Sequence, residues 1–253
     1  MALGRTSNPT LNDKTFSQFA GIASENTMTL QGTINKVFIL LLLVLAGAAL
    51  TWGAVFQMID GLPVSIPVVP LMFAGAIGGF IMAMVTVFKK EWSAVTAPIY
   101  AILEGLLLGA LSAFFESMYP GIVIQAVALT LGTLIALLFA YKSGLIKATE
   151  NFKLGVVAAT GAIALVYFVS WILGMFGVPI GFIHSSGPIG IIFSLIVVVI
   201  AALNLVLDFD FIEQGAESGA PKFMEWYAAF GLMVTLIWLY IEILKLLAKM
   251  RRK

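Results

Sequence analysis

Cysteine is absent from the 253-residue chain, histidine occurs once, as His184, and only 11% of residues are charged. Without cysteine there are no disulfides, thiolate nucleophiles or cysteine metal sites, and the chain is silent about its redox compartment. A catalytic zinc takes three protein ligands, so one histidine without an HExxH pattern sets a metalloprotease aside. The formal net charge is only +1, and no basic run is long enough to follow a phosphate backbone, which excludes nucleic acid as a partner. What the chain has instead is apolar length. Hydrophobic residues make up 61% of it and its mean hydropathy is +1.06, far outside the range of soluble globular domains. The partner this composition demands is a lipid bilayer.

Crossing the roughly 30 Å hydrocarbon layer takes about 20 mostly apolar helical residues. Seven segments qualify, near 34–58, 67–88, 93–115, 122–141, 153–174, 188–208 and 226–247. Turn-forming or charged breaks separate them, such as Asp60-Gly61-Leu62-Pro63, Lys89-Lys90-Glu91 and Tyr119-Pro120-Gly121. The expectation is an all-α integral membrane protein, with a single transmembrane domain over residues 34–253 behind a polar segment, 1–33. That segment lacks the short apolar core and cleavage site of a signal peptide; it is expected to be a tail or a short amphipathic helix on the membrane surface.

Lysine and arginine in short loops set orientation. Three lie in the N-terminal stretch up to Lys36, two at 89–90, three at 142–153 and one at 208–225, while the intervening loops have none. These counts place the N-terminus in the cytoplasm. The stretch from Lys245 to Lys253 holds five more, and seven crossings leave it outside, against the same rule. Either the seventh segment is re-entrant or the earlier loops outvote it.

The third span carries Ala97, Ala101, Gly105, Gly109 and Ala113 every four residues, and Gly75, Gly79 and Ala83 repeat the device in the second. Small residues at this spacing let helix backbones approach where lipid offers no hydrophobic drive for association; both stripes read as packing.

Ionisable groups within spans cost about 2.5–3.5 kcal/mol on insertion scales and are functional candidates by default. Glu104 lies mid-span beside the small-residue stripe. Asp208 and Asp210 end the sixth span, and helical spacing separates them: Asp210, Glu213 and Glu217 share one face, an acidic stripe read as solvated, while Asp208 lies four residues after Asn204 on a polar line running back into the bilayer. Glu242, in the seventh span, has Lys245 three residues on, so an interfacial ion pair stands beside a functional role.

Three stretches, "PIYAILEGLLLGALS", "AALNLVLDFDFIEQG" and "WLYIEILKLL", resemble the Bax inhibitor family of transmembrane proteins. The closer likeness is to a bacterial branch that also begins with a segment like "SNPTLNDKTF". The resemblance implies a seven-helix bundle with the last helix enclosed by the other six, a bacterial inner membrane, and a pH-sensitive calcium leak channel. Its sensor is a pair of acids that fall here on Asp208 and Glu242, where Ca²⁺ would bind transiently, with no firm metal site and no cofactor. Family members more often carry Asp at the second position, so Glu242 keeps the charge on a longer arm. The stretch between the two acids is also longer than the family's. A last span starting at Trp226 would put Glu242 about 24 Å along it. The pair then requires the sixth helix to run well past Asp208, or residues 222–230 to lie along the interface; otherwise Glu225 becomes the nearer partner of Asp208 or Asp210.

Other function classes stay in view. An intramembrane aspartyl protease lacks a GxGD-like motif, and in "IHSSG" nothing orients His184 as a base for Ser185. A retinal protein with Lys245 and counter-ion Glu104 would need its lysine deeper in the span. The principal alternative is a non-conducting regulator that binds another membrane protein, such as a protease, a translocase or a stress or death-pathway component.

Overall fold

The computed structural model describes residues 27–61, 67–177 and 181–252; the "SNPTLNDKTF" segment lies outside them. Seven long apolar helices form: α1 (Leu30–Ile59), α2 (Val68–Phe88), α3 (Ser93–Met118), α4 (Ile122–Lys142), α5 (Glu150–Met175), α6 (Pro188–Glu217) and α7 (Met224–Arg251). One 3₁₀ turn, Lys90–Trp92, precedes α3, and one helical turn, Gly181–His184, precedes α6. All seven are long and apolar enough to cross a membrane, and α7 is the most buried of them. The chain is an integral multi-pass membrane protein.

The helix ends are written locally. Thr29 caps α1 by accepting a hydrogen bond from the Gly32 amide at 2.9 Å, and Thr149 caps α5 through the Phe152 amide. Glu116 receives the amides of Gly121 and, at 3.0 Å, Val123, so a carboxylate satisfies the start of α4. After α6 the chain reverses at Gly219, whose φ of +69° favours glycine.

The main departure from the expected spans is at α6. Hydropathy ends near residue 208, but the helix continues nine residues further, to Glu217. Lipid solvation stops at the membrane edge, whereas backbone hydrogen bonding does not. The helix reaches about 45 Å in all. α7 is one unbroken helix of 28 residues, long and apolar enough for a full crossing.

The described chain falls into two compact units. One holds α1, α2, α3 and residues 212–233; the other holds residues 124–211, with most of α4, α5 and most of α6, and α7 from residue 234 onward. In the first, the expected stripe is the packing seam of α3: Ala97, Ala101 and Ala113 are fully buried, and a Cβ on Gly105 or Gly109 would stand 2.3 Å from the Val44 carbonyl oxygen or 2.2 Å from that of Ala48, both on α1. A Cβ on Gly75 of α2 would stand 2.6 Å from the Leu103 carbonyl oxygen. The contacts make glycine obligatory at these positions. Ala54, Val55, Val68, Ala110 and Ala113 complete this unit's core.

Candidate functional site

Polar groups inside an apolar bundle must find partners within it, and the unit built on α4 to α7 shows where they go. On α6, Asn204 donates to Thr160 Oγ1 and to the Ile200 carbonyl, both at 2.8 Å. One turn on, Asp208 is wholly buried, at 0% exposure. The polar line expected from spacing is therefore an interior line. On α7, Glu242 is 2% exposed; Tyr167 Oη of α5 donates to its Oε2 at 3.1 Å, and Lys245 Nζ lies 3.1 Å from its Oε1. The i,i+3 ion pair is present, yet its carboxylate is interior and its ammonium is on the outside. Asp208 and Glu242 belong to the same compact unit.

Asp210 departs from the solvated reading. Its Oδ2 pairs with Lys153 Nζ at 2.8 Å and its Oδ1 accepts from Tyr141 Oη at 3.4 Å. Lys153 is itself buried, with Glu150 3.7 Å away. A lysine buried this deeply requires a counter-charge, and Asp210 supplies it. Of the acidic stripe, Glu213 is half-buried and only Glu217 is fully exposed.

Glu225 has a different employment from the one open to it in the sequence. It falls in the other unit from Asp208 and Asp210, fully buried, with Lys36 at 2.7 Å, Lys222 at 2.8 Å, and the Thr29 amide and hydroxyl at 3.0 and 2.9 Å. Together with the Met28 amide donating to the Ala220 carbonyl and the Thr27–Pro221 bridge, it fastens the start of α1 to the α6–α7 turn. Gly32 makes room for it, since a Cβ there would collide with the carboxylate. α6 runs to Glu217, nine residues past Asp208, and Glu225 is engaged by Lys36, Lys222 and Thr29. Glu104, half-buried on α3, turns Oε2 toward Gly79 of α2, where a Cβ would come within 3.0 Å.

Sequence reasoning missed Lys153, Tyr141, Tyr167 and Lys249. The last donates to the carbonyls of Ile183 and Gly190 and, at 2.7 Å, to Ser194 Oγ. Arg251 reaches Gln125 Oε1 at 2.9 Å. Three cations of the C-terminal stretch are thus held by the bundle. Among the described residues no three His, Asp or Glu side chains converge as a metal cage.

These features define a seven-helix membrane bundle with carboxylates buried in its interior. The Bax inhibitor 1 like family model matches residues 8–252, and the chain belongs to that family. No curated protein and no solved structure matches it.

Proposed function

We propose that the protein is a pH-sensitive calcium leak channel whose gate responds to protonation of Asp208 and Glu242, with Glu104 as a further acid along the ion's route. One observation carries the reading: two carboxylates, at 0% and 2% exposure, lie on α6 and α7 within one unit of an otherwise apolar bundle. Burial of this kind is costly and marks ion and proton pathways. Calcium is cargo in this scheme, and carboxylate oxygens suit it as transient ligands. The mechanism follows from the chain's own groups. Coupled carboxylates titrate as a pair, and the proton count between α6 and α7 biases two packings of the bundle. Tyr167 holds Glu242 from α5, so the gate extends to a third helix.

The proposed orientation has the N-terminus in the cytoplasm of a bacterial inner membrane. Its support is that Lys245, Lys249 and Arg251 are engaged by Glu242, neutral oxygens and Gln125, which blunts the tail's vote in the positive-inside count.

The test is Ca²⁺ entry into dye-loaded proteoliposomes across about pH 5 to 8, comparing wild type, Asp208→Asn and Glu242→Gln. Wild-type flux with a pH profile displaced in both variants is the expected result. An unchanged profile in both removes the gate. Folded wild-type protein that passes no Ca²⁺ at any pH favours the non-conducting regulator, to be pursued by crosslinking its membrane partner.

A further inference from the structure

Lys249 lies seven residues, almost two turns, beyond Glu242 and on the same face of α7. An ammonium has three donors and no acceptor. Here it donates to the Ile183 carbonyl, the Gly190 carbonyl at 3.2 Å and Ser194 Oγ at 2.7 Å, and Ser194 is itself 2% exposed. Neither other lysine of this unit that contacts an acid is held this way: Lys245 meets Glu242 and Lys153 meets Asp210. Three neutral oxygens, two of them main-chain carbonyls, are the ligands that strip and hold small cations in selective pores. The start of α6 carries a partial positive charge, which works against any cation placed there. A free ion is therefore bound weakly, and a cation on a tether has the advantage of being delivered by its own helix.

We propose that Ile183, Gly190 and Ser194 form a small-cation site at the N-terminal end of α6, and that the Lys249 ammonium fills it as a tethered plug. The plug role rests on the channel reading above; the site does not. In this arrangement the oxygens become available to an ion only when α7 withdraws Lys249, so opening and ion capture are one motion.

The site is tested without any flux assay. Purified Lys249→Ala is melted by tryptophan fluorescence with propylammonium chloride and, at equal ionic strength, with tetramethylammonium chloride, which cannot donate a hydrogen bond. The variant is expected to melt below wild type, and propylammonium to raise its midpoint by about 2–4 °C, with no rise in tetramethylammonium and no response from wild type. Equal responses to the two salts, or none, overturn the site. If Lys249→Ala does not fold, Lys249→Met keeps the apolar stem and is assayed with ammonium ion. In liposomes, Lys249→Ala is expected to leak several-fold faster than wild type and to be slowed by propylammonium; a leak equal to wild type overturns the plug. Wild type without any leak refutes the channel reading, while the melting experiment still decides the site.

Discussion

Glu225 and Glu242 are both glutamates sealed inside the protein, one in each compact unit, and their surroundings could hardly differ more. Glu225 accepts from two lysines and from both the amide and the hydroxyl of Thr29. Glu242 has a tyrosine hydroxyl and one lysine that is 45% exposed. The donors around Glu225 come from the start of α1 and the α6–α7 turn, so this carboxylate ties those segments together. Glu242 has only one neutral donor and one cation that reaches solvent. The glycine seams and the clasp lie in the unit with α1 to α3, and Asp208, Asp210 and Glu242 lie in the other. Buried charge is thus not one category. The count and character of its donors decide whether it holds the fold or works within it.

That contrast can be broken experimentally, beginning with the seam. Gly109→Leu drives a side chain into the Ala48 backbone and should cost about 3 kcal/mol or more, seen as loss of monodisperse protein on size exclusion. Next, Glu225→Ala removes four acceptor contacts at once. Because Lys36 and Lys222 can turn to water, the expected cost is about 1–3 kcal/mol, read as a lowered melting temperature with the pH profile of flux unmoved. Asp210→Asn leaves the buried Lys153 ammonium without its nearest counter-charge and should cost a similar or smaller amount, about 1–2 kcal/mol. Increasing salt should mimic this effect little, since a buried pair is poorly screened. The smallest stability change, under about 1 kcal/mol, is expected for Glu242→Gln, because Lys245 is already near solvent; under the proposed function its effect is expected in the pH profile of Ca²⁺ flux. A pH shift in Glu225→Ala, or heavy destabilisation in Glu242→Gln, would contradict the division of labour.

The seven crossings were legible because a bilayer enforces apolar length, and the stripe through Gly105 and Gly109 was legible because close packing enforces a four-residue period. The Glu242–Lys245 pair was local and could be read at i,i+3. Lys153 and Asp210 could not be joined from sequence: they stand 57 residues apart and each looked like a loop-side charge. The partners of Glu225 at the start of α1 were hidden for the same reason, Thr29 being 196 residues away. Hydropathy also hid the last turns of α6, since polar residues past the membrane edge continue a helix without continuing an apolar run. What the sequence conceals, in short stretches and long ones alike, is the pairing of charges across distant helices.

The clasp has a consequence for biosynthesis. Thr29 and Lys36 leave the ribosome first, and Glu225, which they hold, arrives 196 residues after Thr29. At about 5–20 residues per second, this amounts to some 10–40 s of synthesis. Throughout that interval Lys36 lacks Glu225 as a partner. The start of α1 therefore gains this restraint only after residue 225 has been made.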